Sequence, residues 1–205
     1  MSRIPFPTVE TMNEAQRAVY DDIVSGPRGR LVGPLRAVLH NPELAQRWQK
    51  LGEMLRFGTS LPPRLNELAI LVTARHWNSQ IEWFIHEQAA LSAGLPQAIA
   101  DEIKNCEAPG FTDPQDAAVY EFARQLLAHG TVAPPVYERI RSWFDVTGVV
   151  ELTAVVGYYT MVSMTLNAHE IPLPDGAANP LVPPQRDGMQ AVSKLAAISL
   201  EGITA

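Results

Sequence analysis

The 205-residue sequence has one cysteine, Cys106, which excludes an intramolecular disulfide, a Cys-x-x-Cys redox pair and any multi-cysteine zinc site. A reducing cytoplasm is the expected setting. No uninterrupted apolar run of 18 residues occurs, and the opening MSRIPFPTVETMNEAQ lacks an apolar segment behind basic residues. Neither membrane insertion nor secretion is expected. Charge is scarce: 19% of residues are Asp, Glu, Lys or Arg, against about 25% in an average soluble domain. So little charge suits surface hidden in subunit contacts, and a homo-oligomer is expected. Sixteen basic against 22 acidic residues give a net charge of −6 with no basic block, which argues against a nucleic-acid partner. GxGxxG, Walker and GxSxG motifs are all absent, which removes the usual nucleotide and serine-hydrolase readings. No cofactor is implied. His76, Glu82 and His86 can be imagined around a metal, but no spacing calls for one.

Period-two alternation is missing as well, so the expected fold class is all-α. Pro5 and Pro7 make residues 1–11 an extended arm, because proline restricts both itself and its predecessor. Helices are predicted over 12–25, 42–57, 63–78, 79–94, 96–105, 114–129, 134–145 and 148–169. The second is the clearest: Asn41-Pro42-Glu43 supplies a cap, a first-position proline and a first-turn acid, and Leu44, Trp48, Leu51 and Leu55 form one stripe.

An offset of 72 lays Asn41-Pro42 on Asp113-Pro114, Gly58-Thr59 on Gly130-Thr131 and Pro62-Pro63 on Pro134-Pro135. An internally duplicated helical hairpin follows. Farther on, Glu67-Leu68 meets Glu151-Leu152 only at an offset of 84, because the second half carries an extra helix. Residues 1–171 read as one domain with its arm. Five prolines within residues 172–184 then open a tail, 172–205, that packs on a neighbour or frays, with a weak amphipathic helix over 189–200 through Val192, Leu195 and Ile198.

The densest polar group is Glu67, His76, Ser79, Glu82, Trp83 and His86. Glu82 and His86 stand four apart and share a helix face. A carboxylate beside an imidazole is a proton relay, and burial beside Trp83 would tune both groups for acid/base work. A second reading stands next to it: Ser79-x-x-Glu82 has the form of a capping box, which would occupy the hydroxyl and carboxylate with backbone amides. Glu67 is either a supporting acid or the partner of Arg64 or Arg75 in a surface ion pair. In the repeat Glu82 and His86 fall on Leu166 and Glu170, so the pair exists in one half only. Arg36 and His40 offer positive charge to an anionic substrate, and Ser79 and Trp83 complete the expected substrate-binding set. Tyr158 and Tyr159 read as core residues.

Three segments together carry a resemblance: Leu39-His40-Asn41-Pro42-Glu43-Leu44, the run Leu61 to Leu71, and Glu82-Trp83-x-x-His86 with Ala93-Gly94-Leu95. Over about residues 30–170 the chain resembles the carboxymuconolactone decarboxylase-like family, whose fold is shared with the alkylhydroperoxidase AhpD. The resemblance implies duplicated hairpins assembled as trimers or hexamers. In the redox branch a helix begins Cys-x-x-Cys-x-x-x-His with an upstream glutamate. On that pattern the cysteines fall on Ser79 and Glu82, the histidine on His86 and the glutamate on Glu67. Without either sulfur, thiol–disulfide exchange has no nucleophile and no resolving thiol. The decarboxylase branch instead protonates an enolate-like intermediate without a cofactor. Its Tyr-Cys-Gly-x-Pro motif is replaced here by Gly157-Tyr158-Tyr159-Thr160-Met161. The expected activity is a cofactor-free lyase or isomerase on a small carboxylate or lactone, with His86, Glu82 and Glu67 as its catalytic groups. The alternative is a non-catalytic oligomeric binding module.

Overall fold

The computed structural model describes residues 2–174 and 177–203; the parts of the expected arm and tail at positions 1, 175–176 and 204–205 lie outside them. The chain is helical, and the caps decide where each helix starts. Asn13 accepts from the Gln16 amide while the Gln16 side chain returns to the Asn13 amide, so α1 is Glu14–Ser25. A short α2, Leu35–Val38, was not foreseen, since four residues are too few to show a period. Asn41 accepts from the Leu44 amide at 3.1 Å and opens α3, Pro42–Phe57. Next come α4, Pro63–Trp77, α5, Gln80–Ser92, and α6, Gln97–Lys104. Asp113 caps α7, Pro114–His129, which is followed by α8, Pro134–Trp143. Asp145 accepts from the Gly148 amide at 2.9 Å and so starts α9, Val146–Ala168, two residues earlier than expected.

The centre of the molecule is α4. Every residue from Leu65 to Arg75 is buried, because α5, α7 and α9 pack around it. A helix enclosed on all sides needs no polar face, and the leucines and isoleucine along it each contribute roughly 1.5–3 kcal/mol by leaving water. The two related hairpins meet through this helix. At its first turn Arg64 donates to Asp113 at 2.7 Å and also to Asp116, tying the start of α4 to the start of α7.

The described part of the tail packs on its own chain. A two-residue pairing of β1, Gln185–Arg186, with β2, Met189–Gln190, is antiparallel, and it begins where the helix 189–200 was expected. That helix does not form. Ser193 and Leu195 are buried while Val192 and Lys194 are exposed, which is the alternation of an extended chain. The physical reason lies at the end of α4, whose last carbonyls have no helical donors. The Ser193 amide donates to His76 O at 2.8 Å and the Gln190 side chain to Trp77 O at 3.1 Å. Farther on, Tyr120 Oη donates to Ala196 O at 2.7 Å.

Burial pushes the Asp116 carboxyl up to about 6, Arg64 opposing and Asp113 reinforcing the shift. The folded state therefore keeps a proton that the unfolded chain has released, so this group favours folding at low pH and loses that contribution as the pH rises through about 6. The stability advantage of wild type over Asp116→Asn is expected to shrink between pH 4.5 and 7.5 in urea titrations; an advantage that grows refutes the assignment.

Candidate active site

The chain turns from α4 into α5 at Asn78, which takes the left-handed conformation at φ 54°. The tail holds this turn: Asn78 Nδ2 donates to Ala191 O at 2.7 Å, and Ser193 Oγ donates to Asn78 Oδ1 at 2.8 Å. The reversal carries His86 on α5 back alongside Glu67 on α4. His86 Nδ1 lies 2.6 Å from Glu67 Oε2, and Nε2 lies 3.3 Å from Glu82 Oε2. The three residues are 2%, 8% and 4% exposed for His86, Glu67 and Glu82. The imidazole also meets Tyr159 edge-on at 5.0 Å, and Tyr159 meets Tyr158 at 5.3 Å.

Burial opposes a charge on His86 more strongly than any other single cause. The Glu67 charge and hydrogen bond, with those of Glu82, together outweigh it, and the net shift is upward. The raised value favours the protonated ring, whose Nδ1–H faces Glu67 and whose Nε2–H faces Glu82. The carboxylates occupy opposite ring nitrogens and do not converge on one point. Among the described residues no group of three His, Cys, Asp or Glu side chains is arranged to hold a metal ion.

The sequence-predicted residues divide cleanly. Glu67, Glu82 and His86 come together, and Glu67 has no ion pair with Arg64 or Arg75. Arg64 serves α7, and Arg75 donates to Lys104 O at 2.6 Å and to Ser193 and Asn78. The capping box does not form: Ser79 makes no capping hydrogen bond and its buried hydroxyl has no partner. Ser79 and Trp83 are buried on α5 but do not line the hollow beside His86. Arg36 and His40 are not brought to the site; they fasten the N-terminal arm. The Arg36 guanidinium lies 3.9 Å from the Phe6 ring centroid, and His40 Nε2 is 2.8 Å from Pro5 O. His76 faces Trp77 edge-on at 5.1 Å.

In front of His86 and Glu82 is a hollow of about 30 Å³, close to the share of liquid volume of one water molecule. Arg28, Arg56, Tyr158 and Tyr159 line it, while Glu67 stands behind the ring and does not. Burial raises the Tyr158 hydroxyl to about 12 and the Tyr159 hydroxyl well above its ordinary value, so both remain neutral donors. Sequence reasoning missed the two arginines and left the tyrosines in the core. One signal was available: Gly52 sits in the middle of α3, four residues before Arg56. A Cβ there would lie 2.0 Å from Tyr158 Oη and 2.6 Å from Arg28 Nη2, so the helix is bare where the site presses against it.

No protein-family model matches the chain, and no curated protein matches it. Solved structures do. An uncharacterized peroxidase-related protein from Ralstonia eutropha JMP134, described as an alkylhydroperoxidase AhpD core, aligns with a TM-score of 0.67 at 16% identity over 85% of this chain and 93% of that one. An uncharacterized peroxidase-related protein from Silicibacter sp. TM1040 gives 0.69 at 16% identity over 85% and 92%. A protein of unknown function from Agrobacterium tumefaciens, tied by name to antioxidant defence and AhpD, gives 0.59 at 14% identity over 70% and 99%. At such identities the likeness is one of fold, and the all-α fold is that of the AhpD core.

Glu67→Gln is expected to lower the pKa of His86, because the charged partner on Nδ1 is lost while the ring stays buried. Ring-proton NMR titration measures it, and an unchanged midpoint removes Glu67 from control of the imidazole.

Proposed function

We propose that the protein is a cofactor-free acid/base enzyme, a lyase or isomerase of the carboxymuconolactone decarboxylase type, acting on a small carboxylate or lactone. One observation carries this reading: a histidine ring braced between two buried carboxylates faces a hollow through the side that Glu82 shares. Where a carbonyl is conjugated with the carbon that bears the carboxylate, loss of carbon dioxide passes the bonding pair onto that carbonyl oxygen as an enolate, whose carbon then takes a proton. Nε2–H of His86 delivers the proton to that carbon, Glu82 relays its replacement, and Glu67 keeps the ring oriented from behind. The peroxidase wording in the neighbours' names does not extend to this chain, because the two positions needed for thiols hold Ser79 and Glu82, and Cys106 lies outside the hollow.

A second reading, an oligomeric binding module without turnover, is favoured by the size of the hollow, which admits one small group and not a whole substrate. Turnover separates the two. Loss of 4-carboxymuconolactone absorbance, and exchange of α-protons with deuterated water across a panel of small carboxylates and lactones, are the assays. His86→Gln, folded as wild type, is expected to lose roughly 10²-fold or more in rate, and wild-type activity is expected to fall as the pH rises through the elevated imidazole value. Activity that survives the substitution removes His86 from the mechanism; no activity on any panel member leaves the module.

A cytoplasmic setting and a homo-oligomer, as trimer or hexamer, belong to the same proposal. Among the described residues α9 is the one helix long and apolar enough to cross a bilayer by length and composition, at mean hydropathy 1.4, yet half of it is buried in the core. Its outer stripe, Val146, Val150, Thr153, Gly157, Met161 and Met164, is exposed and uncharged. It repeats every three or four residues, which is the spacing of a helix–helix seam, and its lack of charge suits a second copy of the same stripe. A Cβ on Gly157 would meet nothing. Gly157→Arg is therefore expected to leave the single chain as stable or more stable, while lowering the assembly order in sedimentation; an unchanged order moves the interface elsewhere.

A further inference from the structure

The hollow beside His86 is lined by two cations, Arg28 and Arg56, and by one carboxylate, Glu82, which faces the His86 ring. Arg28 comes from the loop between α1 and α2, and Arg56 from the last turn of α3. Neither forms an ion pair among the described residues. Nε of Arg28 is buried with no hydrogen-bond partner, and a buried donor left unpaired is costly. The fold presses this group into place, since Gly52 leaves room for Arg28 Nη2 and Tyr158 Oη where any side chain would collide. Arg56 alone would read as a solvated helix-end cation, but it shares the wall with Arg28 and both tyrosines.

We propose that Arg28 and Arg56 form a carboxylate subsite in the wall of the hollow, one that takes the head group of a small monocarboxylate and holds its adjacent carbon toward His86. This rests on the acid/base reading of the same site and names where its substrate is gripped. The charges agree in sign: two guanidinium groups line the hollow with no ion pair among the described residues, and a carboxylate head group supplies the missing partner. The dimensions agree as well, since a hollow of about 30 Å³ admits a head group while the rest of the ligand lies outside. A guanidinium fork fits the two oxygens of a carboxylate, and the neutral tyrosine hydroxyls provide further donors.

Acetate is the probe, with acetamide as its uncharged counterpart, titrated into the wild-type protein and followed by NMR. Acetate is expected to give saturable shifts of the Arg28 Nε–H and His86 ring signals, and acetamide none at the same concentration. Arg28→Gln and Arg56→Gln are each expected to weaken acetate binding about tenfold or more, and Arg28→Lys by less, because the charge remains while the fork is lost. If Arg28→Gln does not fold, Arg56→Gln and the wild-type shifts decide. The subsite is overturned if acetate moves neither signal, if acetamide matches it, or if both glutamine variants bind acetate as wild type does. Acetate binding as described, with no turnover of any carboxylate, supports the subsite while the catalytic reading fails. Turnover whose KM is unmoved by either arginine substitution sinks the subsite and leaves the proton chemistry standing.

Discussion

Among the ionisable side chains buried in this molecule, Glu67, His86 and Glu82 form one group, and none of the three is tolerable there alone. Glu67 is carried on a helix with no solvent face, and a lone buried carboxylate is strongly disfavoured. His86 supplies the opposite charge at 2.6 Å, and Glu82 closes the far side of the ring. This mutual dependence fixes how α4 and α5 must face each other. The turn between them has little freedom, and a left-handed Asn78 clamped by Ala191 and Ser193 sets the angle at which the imidazole returns to its partner.

That requirement explains the tail. Prolines at 180, 183 and 184 keep that stretch extended and lead the chain back along the surface, where Gln190 and Ser193 offer donors. The last carbonyls of α4 and the turn after it are where amides are wanted. A segment distant in sequence thus holds the turn that brings His86 to Glu67, and the weak apolar period of 189–200 lost to specific hydrogen bonds at the end of a core helix. A short uncapped helix is marginal in water.

Much of the fold was legible because its helices are punctuated. Asn41-Pro42, Asp113-Pro114 and the paired prolines at 62–63 and 134–135 set starts within a residue or two, and the duplication confirmed their order. The Glu67–Glu82–His86 group was legible because the i,i+4 pair and the motif spacing pointed to it. Arg36 and His40 misled because positive charge near the motif in sequence is not charge near it in space; both hold the arm. Arg28 was hidden in a loop, where no period marks direction. What could be seen was the local rule broken at Gly52, since glycine inside a helix costs roughly 1 kcal/mol against alanine and a helix that carries it has a reason in packing.

The start of α5 links the architecture to the chemistry. A helix N-terminus favours negative charge, and in the redox branch that this sequence resembles, a thiolate would gain from that field. Here Glu82 occupies the first turn and Ser79 the cap position, and the serine hydroxyl is buried without a partner. The same field now acts on a carboxylate one turn before an imidazole. A carboxylate cannot be oxidised in the manner of sulfur, so at this position thiol chemistry is replaced by a hydrogen-bonding partner for the ring. The frame around it sets neutral tyrosine hydroxyls and two guanidinium groups without ion pairs among the described residues beside the same ring.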